Sequence, residues 1–511
     1  MKELESGIVS CSGAARGRRW FRPGLPTGVW ALRGFIVLGL AATVYYFSWW
    51  AEAGRITSPL LAVALIGAGA YHWTQLLGSW VIYLSARKRD EPPPPPSAVE
   101  DLTVDVFVTA CNEPHELVKR ALEAVVAMRG KHRSWLLDDG DDPELARLAG
   151  RLGVGYLTRD GHEGAKAGNI NAAVRQTDGD IIVIFDLDHA PVPEFLERTL
   201  GHFEDPGVGF VQAMLTFENQ RQSWIARAAR ETTLDFFNPV SVGMDRLGSA
   251  TLIGSNALIR REALVSIGGY RHGLAEDLAT SIELHAGGWK SVYVAEPLAP
   301  GLAPADTRAW FTQQLKWARG VFEVLLTAFP RLWPRLDWGQ RLSYAARMTY
   351  YWVGSVAIVH MGFTVGVLLA GENLARVDLR QYIVHILPLV IAAFAIRLTA
   401  LACWRHPTVR MTPLWRAAVL VYATWPVYTL AWIMAALRLP LRFRLTPKRF
   451  DAPARWNWMA PQMLASALIA LAMVFGLSGA QAGHTEILLV FCLLQAGPQL
   501  VVVWQSTKTA A

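Results

Sequence analysis

The segment DIIVIFDLDHAPVPEFLE, residues 180–197, runs five apolar residues, Ile181 to Phe185, straight into Asp186 and Asp188, with His189 and a proline-broken stretch behind them. Two carboxylates one residue apart repel each other unless a cation lies between them, so a divalent metal suits this spacing. The competing account is a pair of solvated turn aspartates. Five further polar clusters share the segment between residues 101 and 330. TACNEP (109–114) follows an apolar run, and LLDDG (136–140) ends another with Asp138 and Asp139. GHEGAKAGNIN (161–171) carries Lys166 among small residues; it is no Walker loop, because Ala167 stands where Ser or Thr would hold magnesium. GLAEDLATSIELHAGG (273–288) opens an amphipathic helix with Glu276 and Asp277, and WFTQQLKWARG (310–320) places Gln313, Lys316 and Trp317 close together. Each alone reads as turn, cap or solvated charge; together they describe one polar site.

The elements that must position these residues are legible as periodicity. Short strand candidates at 104–109, 135–137, 154–158, 181–185, 208–212 and 291–294 alternate with helical stretches such as 115–128 and 193–203, an α/β pattern. At the carboxyl ends of strands covered on both faces, an open α/β sheet builds its ligand crevice. The rest of the 511 residues is of another kind. With 52% apolar residues and 21 Trp, the chain is too apolar for an ordinary soluble enzyme and too charged for a pure membrane bundle. The net charge of +7 lies largely beside apolar runs, where cytoplasmic loops collect Lys and Arg, so nucleic acid is not an expected partner and a lipid bilayer is. Cysteines at 11, 111, 403 and 492 share no ligand spacing, and no cleavable leader is apparent.

About 20 apolar residues cross a bilayer as a helix. The expected organisation is a cytosolic segment 1–28, two transmembrane helices in 29–84, a basic polyproline linker 85–100, and a cytosolic catalytic domain 101–330. An interfacial segment and two more spans occupy 331–412. Residues 413–437 are apolar but flanked by Arg405, Arg410, Arg438, Arg442 and Arg444, which favours a helix lying in the interface. A loop 438–458 and a final pair of spans in 459–511 complete six crossings with both termini inside.

Read in order, the clusters resemble those of the processive membrane-bound family 2 glycosyltransferases, the cellulose synthase group, related to hyaluronan and chitin synthases. The group's D, DxD, (T)ED and QxxRW series matches Asp138/Asp139, Asp186-Leu187-Asp188, Glu276-Asp277 and Gln313-Gln314-Leu315-Lys316-Trp317. Its Lys-Ala-Gly-Asn loop matches 166–169, and its gating loop F-x-V-T-x-K is close to FRLTPK, Phe443 to Lys448. The chain departs from the group at Ala275 (for Thr), Lys316 (for Arg), Cys111 (for an aromatic) and TLIGS, 251–255 (for FFCGS).

The resemblance implies a nucleotide-diphospho-sugar transferase domain of GT-A type, a Rossmann-like mixed sheet inserted into a helical membrane bundle. It implies an inverting, processive hexosyltransferase that draws on a UDP-sugar, expected to be UDP-glucose, and passes a β-linked glucan across the plasma (inner) membrane. The alternative is a non-processive transferase acting on a lipid carrier, with a non-catalytic transporter or receptor further behind. Mg2+ or Mn2+ is expected on Asp186 and Asp188. The nucleotide falls to Asn112, Glu113, Asp138, Asp139, Lys166, Lys316, Thr446 and Lys448. Trp317, Gly254, Ser255 and Gln313 fall to the growing polysaccharide, with Asp277 as base and Glu276 beside it. Accessory export subunits are a further expected class of partner.

Overall fold

The computed structural model of the chain describes residues 26–87, 99–370, 378–441, 456–478 and 485–508. Its centre is a seven-stranded mixed sheet: β1 (Val104–Ala110), β2 (Arg133–Asp138), β3 (Gly155–Leu157), β4 (Ile181–Asp186), β5 (Val208–Phe217), β6 (Ala257–Arg260) and β7 (Lys290–Gly301). The order is β3-β2-β1-β4-β6-β5-β7; β6 runs antiparallel to both neighbours, and the other pairs are parallel. This is the GT-A-like arrangement expected, with β6 as a strand that the sequence reading did not anticipate.

Why β4 is apolar at every position before Asp186 follows from the pleat. Successive side chains point to opposite faces, so a strand covered on both faces needs an unbroken apolar run. Ile181, Val183 and Phe185 enter one core with Val106, Val108 and Leu122; Ile182 and Ile184 enter the other with Phe107, Ile170 and Leu284. The five side chains from Ile181 to Phe185 are all fully buried. The run ends where the sheet ends, and Asp186 is the first residue past it that can face a ligand.

Among the described residues, five helices are long and apolar enough to cross a bilayer: Gly28–Trp50, Trp338–Leu369, Leu379–Trp404, Asn457–Gly476 and Glu486–Ser506. The stretch 58–84, expected as a span, is a 27-residue helix, Pro59–Ser85, that is not one of these five. The stretch 413–437, expected as one interfacial helix, is two helices, Trp415–Ala423 and Trp425–Ala436, bent by 48°. Pro426 in the first turn of the second helix has no N–H to extend the ladder of the first, which accounts for the break. Thr424 at the bend accepts a hydrogen bond from Trp310 Nε1 at 2.9 Å.

Sheet and apolar helices share a core. Leu32, Trp80, Tyr83 and Ile396 from the apolar helices pack with Met214, Leu234 and Phe237 of the sheet domain. A buried ion pair adds a polar fastening: Arg416 Nε and Nη2 both reach Glu231 Oε1, at 2.8 and 2.5 Å, and the Glu231 side chain is fully buried. Breaking such a pair leaves an uncompensated charge, at a cost of about 3–5 kcal/mol. Arg416→Met is therefore expected to lower the unfolding midpoint in detergent, whereas Glu231→Leu with Arg416→Met should recover most of the loss. Equal midpoints for wild type and Arg416→Met would show that the pair does not fasten the two parts.

Candidate active site

The strand ends open into a cavity of about 930 Å³ whose wall is drawn from both parts of the molecule. Glu113, Asp139, Lys166, Asp186, Asp188, Glu276 and Asp277 line it on the sheet side; Gln313, Lys316 and Trp317 line it from the helix Thr307–Leu326. Arg347, Tyr350, Arg397 and Tyr428 line it from the side of the apolar helices.

The two expected aspartates after β2 are not equivalent. Asp138 is buried, accepts from the backbone N–H groups of Gly140 and Asp142 at 2.8 and 2.9 Å and from Tyr156 Oη at 2.9 Å, and does not line the cavity. It shapes the loop. Asp139 faces the cavity and is gripped by both ends of the Arg159 guanidinium, at 2.7 and 2.8 Å. Arg159 also donates to Glu163 O and Ala165 O, so one side chain ties Asp139 to the lysine loop. Asn112 sits in the left-handed region (φ 62°) at the turn after β1, and Glu113 accepts from the Cys111 N–H.

The lysine loop is built for close approach. Gly164 caps the helix Ala165–Gln176 in the left-handed conformation, and Asn169 Nδ2 donates to Leu137 O at 3.0 Å, docking the helix on β2. Lys166 Nζ then donates to Asp186 Oδ1 and Gly254 O. Burial works to raise the Asp186 carboxyl, but the Lys166 ammonium beside it holds it below the usual carboxylate range. Gly254 (φ 80°) is in a conformation that side-chain-bearing residues rarely adopt, and a Cβ there would lie 3.5 Å from Asp277 Oδ2 and 3.6 Å from Lys166 Nζ. Ser255, expected against the acceptor, is fully buried instead; its hydroxyl accepts from the Asp186 N–H at 3.0 Å and donates to Asn256. It positions the metal-site backbone and does not line the cavity.

Oxygen or nitrogen atoms of Asp186, Asp188 and His189 lie within 4.8 Å of one another. His189 was not singled out as a ligand in sequence, yet its ring is buried, with Nδ1 3.6 Å from Asp188 Oδ1 and neither ring nitrogen hydrogen-bonded. A buried imidazole lacking partners beside two carboxylates is a donor set that fits a divalent cation.

Opposite, Glu276 and Asp277 begin the helix Glu276–Ala286. Asp277 accepts from the Leu278 N–H at 2.7 Å. Burial, reinforced by the charge of Glu276, pushes the Asp277 carboxyl up to about 7. Gly320 lets the QQLKW helix pack on this point: a Cβ there would lie 2.6 Å from Ala275 N. From the same helix Gln314 accepts from Tyr428 Oη at 2.9 Å, while Gln313, Lys316 and the partly exposed Trp317 face the cavity. Phe443, Thr446 and Lys448 lie outside the described residues.

Residues 181–478, more than half of the chain, match the family described as glycosyl transferase family group 2. The chain is 31% identical over 376 residues to the UDP-forming cellulose synthase catalytic subunit of Pseudomonas fluorescens, covering 70% of this chain and 50% of that one. It is 32% identical over 347 residues to cellulose synthase 1 of Komagataeibacter xylinus, covering 66% of this chain and 22% of that one. The chain thus spans half or less of the length of these relatives. A mannosyltransferase from Pyrobaculum calidifontis superposes over 82% of this chain and 99% of its own, at 18% identity and a TM-score of 0.44, too loosely to bear on function. On the family match, the chain belongs to glycosyl transferase family group 2.

Proposed function

We propose that this protein is an inverting membrane glycosyltransferase that polymerises a β-linked glucan from UDP-glucose and passes it into the membrane helices. One observation carries the reading: a single cavity joins the strand-end carboxylates, the Glu276–Asp277 pair and Trp317 to Tyr350, Arg397 and Tyr428 of the apolar part. Kinship to proteins named as UDP-forming cellulose synthases supports the donor and product class. The basic residues at 405, 410 and 438 support a cytosolic catalytic domain, with the inner membrane as its location.

On this reading Asn112, Glu113, Asp139 and Lys166 receive the nucleotide, and Asp138 holds the loop that presents Asp139. Asp186, Asp188 and His189 would hold Mg2+ or Mn2+, which when bound supplies positive charge against the diphosphate. Lys316 adds a cation where the departing diphosphate gains charge. The acceptor sugar stacks on Trp317, near Gly254 and Gln313. Its hydroxyl oxygen forms the new bond to the anomeric carbon, the bond to the diphosphate oxygen breaks, and the hydroxyl proton passes to Asp277. One displacement turns an α-linked donor into a β-glycoside. A carboxyl near 7 is poised for this proton transfer, since a base works best with a pKa close to the operating pH.

The direct test is turnover of a panel of UDP-sugars by the purified protein in nanodiscs with Mg2+ or Mn2+, followed by size and linkage analysis. UDP-glucose should give the fastest UDP release and a long β-linked polymer; single-sugar transfer to lipid, or no UDP release, would contradict the proposal.

For the base, Asp277→Asn should bind UDP and lose transfer by ~10²-fold or more. In the wild type, transfer should rise with pH and level off above about 7, because only ionised Asp277 accepts the proton. One unit below that value the rate should be roughly a tenth of its plateau, following the ionised fraction. A flat profile across this range assigns the proton elsewhere.

Lys316 is a point charge where an arginine would fork onto phosphate oxygens. Lys316→Arg should keep activity, whereas Lys316→Ala should slow transfer or raise the donor requirement. Unchanged kinetics in Lys316→Ala would remove it from the diphosphate's surroundings.

A further inference from the structure

The end of the cavity formed by the apolar helices carries charges that transfer to a neutral glucan does not require. Asp235 closes the helix Trp224–Asp235 and is followed by a π-helical turn, Phe236–Val240, a wide turn of the kind that recurs at functional sites. Both Asp235 oxygens accept from Tyr83 Oη, at 2.8 and 3.0 Å. Arg397 Nε lies 3.7 Å from Asp235 Oδ1, beyond hydrogen-bond distance, and is buried without an acceptor. Arg347 is held by its faces: its guanidinium carbon is 4.2 Å from the Phe236 ring centre and 5.8 Å from that of Tyr350. Among the described residues, no carboxylate lies within ion-pair distance of Arg347. Asp235, Phe236, Tyr350 and both arginines line the cavity.

The count is two guanidinium cations against one carboxylate that already serves a tyrosine. Arg397 stands seven residues before Trp404, the last residue of its span, so roughly 10 Å up the helix at 1.5 Å per residue. Charge at that depth is costly, faces a cavity or a partner, and marks a ligand path more often than a fastening. Guanidinium groups match phosphate oxygens in planar, forked geometry.

We propose that Arg347 and Arg397 form a second anion site, distinct from the nucleotide's, that takes a phosphate group at the level of the membrane interface. The inference rests on reading the cavity as the acceptor's path. Two sources offer that chemistry: the phosphomonoester of a membrane lipid and free phosphate from the cytosol.

The test uses the full chain in detergent, with dioctanoyl phosphatidate, dioctanoyl phosphatidylcholine and inorganic phosphate as probes, and UDP binding read on the same samples. Saturable binding of phosphatidate but not phosphatidylcholine is expected. Arg347→Gln and Arg397→Gln should each weaken it by at least ~10-fold, the scale of a lost charge-assisted hydrogen bond. Arg397→Lys, which keeps the charge, should recover part of the affinity and separates loss of the site from loss of the fold. Displacement of phosphatidate by millimolar inorganic phosphate supports the site and identifies phosphate alone as sufficient; no displacement supports it and assigns the lipid. Wild type that binds UDP but not phosphatidate or inorganic phosphate overturns the site alone, as does undiminished affinity in both Gln variants. Wild type that binds phosphatidate but not UDP counts against the proposed function instead.

Discussion

Carboxylates crowded in a space shielded from water repel one another, and the structure around this cavity is organised by that repulsion. Glu113, Asp139, Asp186, Asp188, Glu276 and Asp277 all line it. Each is settled differently. Asp139 is neutralised by the forked Arg159, Asp186 by Lys166, and Glu113 turns back onto the backbone of Cys111. Asp188 keeps the buried His189 ring beside it. Asp277, with Glu276 next to it, gives way by rising to about 7. Environments that push like groups apart in pKa sort them into roles, on the proposed function a cation seat and a proton acceptor.

The same constraint explains how tightly the catalytic domain is joined to the apolar helices. On the proposed function Asp277 must stay in place while the ligand beside it changes charge, and its helix begins against Gly320 of the segment Thr307–Leu326. That segment is in turn bound to the bent pair Trp415–Ala423 and Trp425–Ala436 through Trp310 to Thr424 and Tyr428 to Gln314. A short series of contacts therefore connects Asp277 to the part of the molecule that would carry the product.

Much of this was legible in the sequence because it is local. The unbroken apolar run of β4, the acid pair after it and the Glu276–Asp277 helix start each declare themselves within a few residues. What was not legible depends on distance. β6 is four residues long and earns its place only by antiparallel pairing with β4 and β5, which no local pattern announces. Asp138 and Asp139 look alike in LLDDG, and only the pleat decides which one turns to the loop. His189 was visible, but its lack of hydrogen-bonding partners is a tertiary fact; Ser255 was assigned to the acceptor and instead holds the Asp186 backbone. Arg159, Arg347 and Arg397 lie at no motif spacing; the fold alone brings Arg159 onto Asp139 and the other two to the wall. The bend at Thr424 has a local sequence signal, Pro426, within the stretch expected as one interfacial helix.

The central claim is that Asp186, Asp188 and His189 seat a divalent cation that the other carboxylates are arranged around. Electron paramagnetic resonance of Mn2+ titrated into the metal-stripped protein, with and without UDP, measures this directly. The account predicts one tight site in the wild type, tighter with UDP, weakened in His189→Ala and lost in Asp188→Asn, with UDP-sugar turnover reversibly silenced by chelator. Full turnover in excess chelator, or Mn2+ binding unchanged in Asp188→Asn, would contradict it.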